Sequence, residues 1–290
     1  MPDSDDAQLR LAQGKPSVTA QGAAVLRAAH QLLDVPLVFE DPLAVRVLGS
    51  DGEQALRSRL PSQQTPTARA MRALVVGRSR FAEDRLAEGM ELGVRQHLLL
   101  GAGLDTYACR HSHGPARVFE VDHPATQAWK RSRLTEVGLA PPACLTFVPV
   151  DFEKDNLQAS LAGAGFDSSL PAVVAWLGVS VYLTEEAVFE TLRWAASLAK
   201  GSELVFDFGA RTLEGADAEL RDGLRATRVR VRARQEPWRT FFDPEELARR
   251  MRSLGFSDIE TVSPDQLDRL YFLPVGSDLR MHTHLMRGRV

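Results

Sequence analysis

The stretch HLLLGAGLD, residues 97–105, joins a short apolar run to a glycine-rich turn. The leucines suit a buried strand, and two glycines let the backbone turn sharply where that strand ends. In an open α/β sheet, this junction of a strand end and a helix start is the usual ligand crevice. The pattern therefore predicts that a nucleotide-like cofactor binds at Gly101, Ala102, Gly103 and Asp105.

Further apolar runs follow at regular intervals and are separated by helical stretches. This alternation predicts a doubly wound α/β fold with a mostly parallel sheet and helices on both faces. Four of the runs are RVFEVD (117–122), LTFVPVDF (145–152), PAVVAWLGVSVYLT (171–184) and ELVFDFG (203–209). Two short strands, within SDIETV (257–262) and MHTHLMRGRV (281–290), are expected to complete the sheet.

The N-terminal third has a different character. Residues 1–16 are polar and are expected to form a mobile lead, whereas apolar residues at helical spacing fill much of the segment from 17 to 90. We expect this segment to be a helical cover for the domain formed by residues 91–290. The second apolar helix in it, ARAMRALVVGRSRFAEDRLAEGM, carries Arg78 and Arg80.

Composition excludes several classes of protein. The 290 residues are 44% hydrophobic and 25% charged, as in ordinary globular proteins, and carry a net charge of -3. We therefore expect neither nucleic acid nor membrane as a partner, and a small molecule or peptide as the ligand. The acidic N-terminus does not resemble a signal peptide, so a cytoplasmic location with two free cysteines is expected. The oligomeric state is left open.

Acidic residues stand at the ends of the second and third predicted strands. Glu120 and Asp122 follow the glycines by about 20 residues, where a carboxylate can accept hydrogen bonds from ribose hydroxyls. Asp151 and Phe152 could accept from an adenine amino group and cover the base. Two alternatives stay open: Asp122 as a helix cap before Pro124, and the 151–152 pair as a strand-end acid with a core aromatic.

The third position of the glycine motif separates two cofactors. A dinucleotide site requires glycine where this chain has Thr106, because the helix must approach the strand closely there. S-adenosyl-L-methionine is therefore favoured over NAD. An NAD-dependent oxidoreductase and a noncatalytic cofactor-binding protein are the alternative functions.

At this point the motifs resemble a known family. ARAMRALVVGRSRFAED, LLLGAGLDT, VFEVDHPATQ, VPVDF and WLGVSVYLTEEAVFETL occur in the order and spacing of the leucine carboxyl methyltransferase-like superfamily, in particular its bacterial S-adenosylmethionine-dependent O-methyltransferases. The resemblance spans roughly residues 17–290. It implies a class I methyltransferase-like sheet of seven strands, the last of them antiparallel.

The resemblance also implies roles for individual residues. Gly101 and Gly103 would lie against the methionine part of the cofactor, Asp122 would bind ribose, and Asp151 with Phe152 would bind adenine. Either Arg78 or Arg80 would neutralise the cofactor carboxylate. A carboxylate acceptor is favoured over a hydroxyl, and the catalytic residues stay unassigned.

The chain departs from the family pattern on the fourth strand. Where many members have an acid in A-E-G-x-x-x-Y-L, this chain has Ala175-Trp176-Leu177. Trp176 is predicted either to line the adenosine pocket or to pack in the core. Tyr182 and His30 are candidates for the acceptor pocket.

Two other patterns were weighed. Histidine pairs at 111/113 and 282/284 lack a third placed ligand, so no metal site is predicted. The arginine-rich stretch 225–239 could face an acidic substrate or form a solvated helix.

Overall fold

Strands between residues 96 and 289 form a seven-stranded sheet in the computed structural model, which describes residues 17–211, 217–233 and 236–290. The strands of this sheet are β1 (Gln96–Leu100), β2 (Arg117–Asp122), β3 (Leu145–Pro149), β4 (Ala172–Trp176), β5 (Glu203–Asp207), β8 (Asp258–Val262) and β9 (Leu285–Arg289). Their spatial order is β3-β2-β1-β4-β5-β9-β8. A separate parallel pair is formed by β6 (Gly209–Ala210) and β7 (Phe241–Phe242).

The α-helices of the described residues lie before and between these strands. Short 3-10 turns at Arg46–Leu48, Leu60–Gln64 and Ser180–Tyr182, and a π-helical turn at Asp268–Phe272, supplement them. The α-helices are α1 (Val18–Leu33), α2 (Gly49–Ser58), α3 (Pro66–Glu91), α4 (Tyr107–Arg110), α5 (Pro124–Glu136), α6 (Leu157–Gly163), α7 (Glu185–Ala196), α8 (Ala218–Ala233), α9 (Pro244–Leu254) and α10 (Pro264–Leu267).

Two apolar layers hold the sheet, one on each face. Side chains alternate along a strand, so Leu98 and Val174 belong to one buried cluster while Leu99 and Val173 belong to the other. All five residues of β1 are buried, as expected for a central parallel strand. This burial explains why the strands read as continuous apolar runs in the sequence.

The seven-stranded, mostly parallel sheet predicted from the sequence is confirmed. Strand β9 runs antiparallel to both β5 and β8, which confirms the antiparallel last strand. The helices from Val18 to Glu91 agree with the helical segment predicted before the sheet. The predicted lead, 1–16, lies outside the described residues.

Two predicted strands are shorter than expected. The run 171–184 leaves the sheet after Trp176. Gly178 adopts a left-handed φ of 71°, and its N–H donates to the side chain of Asp207 rather than to the backbone of a neighbouring strand. The run 203–209 divides after Asp207, and its last residues pair with β7.

None of the helices in the described part of the chain is long and apolar enough to cross a membrane.

Candidate active site

A cavity of 1320 Å³ opens at the carboxyl-terminal edge of the sheet, where β1 to β5 end. We call the glycine turn 101–103 and the strand-end acids Asp122, Asp151 and Asp207 the cavity floor. The cavity roof consists of the first turns of α1, helix α8 and residues 236–239. In open α/β sheets this edge is where ligands bind.

The two glycines of the turn lie too close to neighbouring residues to carry a side chain without movement. Gly101 and Gly103 have φ values of 71° and 50°, in the left-handed region that glycine adopts easily. A Cβ on Gly101 would lie 2.1 Å from Cγ2 of Val179, and one on Gly103 would lie 3.2 Å from Cβ of Ala20. The turn therefore fits closely between the loop after β4 and helix α1, and its backbone faces the cavity.

Asp122 is anchored by the backbone around it. The Gly103 N–H donates to Oδ2 at 2.6 Å, and the His123 N–H donates to Oδ1 at 2.7 Å. Burial raises the pKa of Asp122 to about 6, against the effect of these two hydrogen bonds. A carboxylate has about four lone-pair sites, so Asp122 can accept further hydrogen bonds from a ligand.

Asp151 lies at the end of the neighbouring strand, beside Phe152 in the cavity lining. Its carboxylate accepts from the Glu153 N–H at 3.1 Å and from Lys154 Nζ at 2.8 Å. His123 Nδ1 accepts from the Ala125 N–H, so Nε2 carries the hydrogen, and it lies 3.9 Å from Asp151. Burial lowers the pKa of His123, which favours this neutral form.

The two candidate arginines point to different sites. Arg78 lines the cavity and pairs with Asp207 at 2.8 Å. Gly178 permits this, since a Cβ there would lie 2.5 Å from the Arg78 guanidinium. Arg80 pairs with Asp84 at 2.9 Å, stacks over Tyr271 and lines a second groove elsewhere.

The structure places two other predicted residues, Glu120 and Trp176, outside the cavity lining. Glu120 lies two residues before the end of β2, below the sheet edge, and pairs with Lys130 at 2.5 Å. Burial raises the pKa of Glu120 to about 7. Trp176 is fully buried and packs on Phe206 with ring centroids 5.7 Å apart. Both residues belong to the core. The buried carboxylate of Glu120 is tolerated there because the ammonium of Lys130 compensates its charge.

His30 also lies away from the cavity, within the N-terminal helices. Its Nε2 accepts from the Val38 N–H at 3.1 Å, so Nδ1 carries the hydrogen that it donates to Asp34 at 2.8 Å. Arg72 also contacts Asp34, at 2.6 Å. The imidazole is thus part of the packing that orders this segment.

Tyr182 lies between floor and roof. Its Oη accepts from Trp238 Nε1 at 3.3 Å, and Thr19 is a second hydrogen-bond partner. Burial raises the pKa of Tyr182, so the phenol keeps its proton at neutral pH. It can therefore donate to a ligand but is poorly suited to accept a proton.

A single carboxylate joins the two ends of the roof. Glu236 accepts from the backbone N–H groups of Val18 and Thr19, each at 2.8 Å, and from Ser17 Oγ at 3.2 Å. These donors form the N-terminus of α1, whose dipole favours a negative charge. Glu236 is buried, so this contact closes the roof over the cavity.

Comparison with known proteins identifies the family. Residues 20–196 match the family described as "Leucine carboxyl methyltransferase". The chain belongs to this family. It is therefore a methyltransferase, and the family predicted from the motifs is confirmed.

Two relatives and one solved structure illustrate the similarity. YktD of Bacillus subtilis (strain 168), named "Putative S-adenosyl-L-methionine-dependent methyltransferase", is 30% identical over 286 residues, covering 88% of this chain and 91% of its own. SCO7813 of Streptomyces coelicolor, with the same description, is 35% identical over 199 residues, covering 67% and 69%. Both descriptions agree with the predicted cofactor. A methyltransferase structure from Thermobifida fusca, "putative" by its own description, covers 96% of each chain at 19% identity with a TM-score of 0.56, which supports the fold.

Several cavity residues of this methyltransferase were missed by sequence reasoning. Asp207 carries the same signal as Asp122 and Asp151, an acid at the end of an apolar strand, and could have been found. Glu236 and Trp238 lie within the arginine-rich stretch 225–239, where no local pattern distinguishes them.

Arg27 was missed as well. It reaches from α1 to the glycine turn, donating to the Leu104 carbonyl and pairing with Asp105 at 3.4 Å and Asp41 at 3.0 Å. Although burial opposes ionisation of Asp105, neighbouring cations led by Arg27 lower its pKa. No local pattern in the alanine-rich sequence of α1 distinguishes Arg27.

Proposed function

We propose that this methyltransferase uses S-adenosyl-L-methionine to methylate an oxygen of a small molecule or peptide, a carboxylate in preference to a hydroxyl. The sulfonium of the bound cofactor supplies an activated methyl group. The remaining requirements are alignment of the acceptor and exclusion of water, which the protein provides.

The floor has the groups that such a cofactor needs. Asp122 has free lone pairs for the ribose hydroxyls, and Asp151 with Phe152 is suited to the adenine ring. The glycine turn offers close backbone approach for the methionine part, and Gly101 is required there because a Cβ would collide with Val179. Of the two arginines that the sequence left as alternatives, we assign Arg78 to the cofactor carboxylate, because it lines the cavity.

The carboxylate preference rests on one observation: each acid that lines the described cavity is already bonded within the protein. Asp122, Asp151 and Glu236 accept from backbone N–H groups, and Asp151 also accepts from Lys154. Asp105, Glu153 and Asp207 pair with Arg27, Arg239 and Arg78. A hydroxyl needs a base to remove its proton, whereas a carboxylate is ionised at neutral pH. Acids bound in this way favour an acceptor that needs no base.

The helical segment 17–90 is assigned the role of cover. Residues of α1 from Val18 to Arg27 line the cavity, and α3 contributes Met71, Val75 and Arg78. Together with Tyr182 and Trp238, these side chains enclose the acceptor side and exclude water from it.

Base lability of the product tests the proposal. Purified protein is incubated with methyl-labelled cofactor and a panel of carboxylic acids and phenols, and each labelled product is then treated with mild base. A methyl ester releases labelled methanol, whereas a methyl ether keeps its label. We expect volatile label from carboxylic acids; base-stable label in every product would overturn the carboxylate assignment.

A further inference from the structure

The cavity has a positive charge excess, although the chain as a whole carries -3. Among the described residues that line it, nine are arginines and six are aspartates or glutamates. S-adenosyl-L-methionine does not balance this excess, because its sulfonium and ammonium outweigh its carboxylate by one positive charge. Glu246, outside the lining, pairs with Arg211, and the remaining negative charge must come from another ligand or from solvent ions.

The unpaired arginines are concentrated in one part of the cavity. Those near the floor are neutralised by Asp105, Asp207 and Glu153. Helix α8 and the end of α2 instead contribute guanidinium groups with no carboxylate partner among the described residues. These are Arg59, Arg221, Arg225, Arg228 and Arg230.

Helical spacing places three of these arginines on one face. Arg221, Arg225 and Arg228 stand at i, i+4 and i+7, and Leu224 and Val231 of the same stripe also line the cavity. Like charges at this spacing disfavour an isolated helix. An anion bound at this wall of the cavity would offset the repulsion between the three arginines.

Close packing holds this face over the cavity. A Cβ on Gly223 would lie 1.8 Å from Oγ1 of Thr67, so α8 crosses the start of α3 at a distance that requires glycine. Arg228 also stacks on Phe241, its guanidinium 4.6 Å from the ring centroid. The arginine face is therefore positioned by contacts beyond the helix itself.

We propose that this face of α8 binds a second anionic group of the acceptor, distinct from the carboxylate that receives the methyl group. The inference rests on the proposed function. A guanidinium bonded to the reacting carboxylate would withdraw electron density and make its oxygens weaker nucleophiles, whereas the same guanidinium can hold a neighbouring anion bidentately. The acceptor is thus a dianion or polyanion whose remote group is a carboxylate or a phosphate.

Anion binding to the complex with S-adenosylhomocysteine tests this without turnover. Inorganic pyrophosphate and tricarballylate are titrated separately by calorimetry into wild-type protein and the Arg225→Gln/Arg228→Gln variant. Binding should weaken about tenfold or more in the variant, and Arg225→Lys/Arg228→Lys should recover part of it. Tighter pyrophosphate binding would indicate a phosphate group on the acceptor, and tighter tricarballylate binding a carboxylate.

The matched control is Arg193→Gln/Arg249→Gln, which removes the same charge from exposed positions on α7 and α9. It should bind both anions like the wild type. Equal anion affinity in the two double variants, or wild-type protein that binds neither anion, would overturn the subsite. Circular dichroism shows whether α8 is retained.

Failure of the subsite is distinguishable from failure of the proposed function. S-adenosylhomocysteine affinity should be the same in all these proteins, since the arginines lie outside the floor. Base-stable products would remove the carboxylate acceptor while leaving the measured anion affinities intact.

Discussion

The floor and the roof of the cavity are built by different kinds of contact. On the floor, Asp122 is held by backbone groups directly after its strand and in the adjoining glycine turn. In the roof, the Val18 N–H and its acceptor Glu236 are 218 residues apart in sequence. The floor is thus a consequence of strand geometry, whereas the roof depends on distant segments meeting.

This difference indicates which region governs cofactor binding and which governs closure of the cavity. The floor is anchored to a buried sheet and should keep its shape in the free protein. The junction between Glu236 and the start of α1 in the roof is made by a few polar contacts, and such contacts open at lower free-energy cost than a core. Cofactor binding should therefore depend mainly on the floor, and access to the acceptor side mainly on the roof.

The largest effect is expected from a change in the floor, Gly101→Ala. The new Cβ would lie 2.1 Å from Val179 at a φ of 71°, combining left-handed strain with overpacking. We expect a loss of about 2–5 kcal/mol in the free energy of unfolding, measured with denaturant, and loss of S-adenosylhomocysteine binding by calorimetry.

Gly93→Ala is the matched control, because Gly93 also has a positive φ, 94°, but no atom within 4 Å of its Cβ position. Its cost should be limited to the backbone contribution of about 1–2 kcal/mol, with binding unchanged. Equal costs at both positions would show that the contact with Val179 is unimportant.

A roof mutation, Glu236→Ala, should have a smaller and more local effect. It leaves the Val18 and Thr19 N–H groups and Ser17 Oγ without their acceptor, at a cost of about 1–3 kcal/mol to local closure. Hydrogen exchange of the first turns of α1 should accelerate, while exchange in β1 and β2 stays at the wild-type rate.

Glu236→Gln keeps one amide oxygen as an acceptor and should lose less protection than the alanine variant. If exchange in the first turns of α1 were the same in wild type and Glu236→Ala, the roof would be held by other contacts. The division between floor and roof would then need revision.

Short sequence patterns predict the floor of the cavity but not its roof. The sheet and the carboxylates at the ends of β2 and β3 follow from short patterns, because parallel strands bring their ends to one edge. The same rule places Asp207 there. The sequence alone could not decide between Arg78 and Arg80. Residues two positions apart on a helix point in nearly opposite directions, and only the packing shows which of the two faces the cavity.

The roof lies beyond such patterns. No local sequence pattern indicates that Glu236 binds the first residues of α1. No local pattern indicates that the arginine face of α8 lines the cavity. Trp176 illustrates a related limit: the resemblance to the family implies an acid at this position, and only the packing against Phe206 assigns the residue to the core.

The smallest expected effect concerns the ionisation of Asp122. Burial raises its pKa to about 6, and the ionised carboxylate is the form that best accepts from two ribose hydroxyls. S-adenosylhomocysteine affinity should therefore rise with pH and level off above about 6. At pH 5, where roughly a tenth of Asp122 is ionised, affinity should be about tenfold below the plateau.

Asp122→Asn tests whether this residue causes the pH dependence. The amide keeps the shape and one acceptor oxygen but does not titrate, so its affinity should be about tenfold below wild type at pH 8 and nearly constant down to pH 5. Glu83 and Glu120, with pKa values raised by burial to about 6 and 7, lie outside the cavity lining and are present in both proteins. Calorimetry on the two proteins across this range therefore isolates Asp122. An equally steep decline in the variant would assign the pH dependence to those buried glutamates or to His123, and would remove Asp122 from the ribose site.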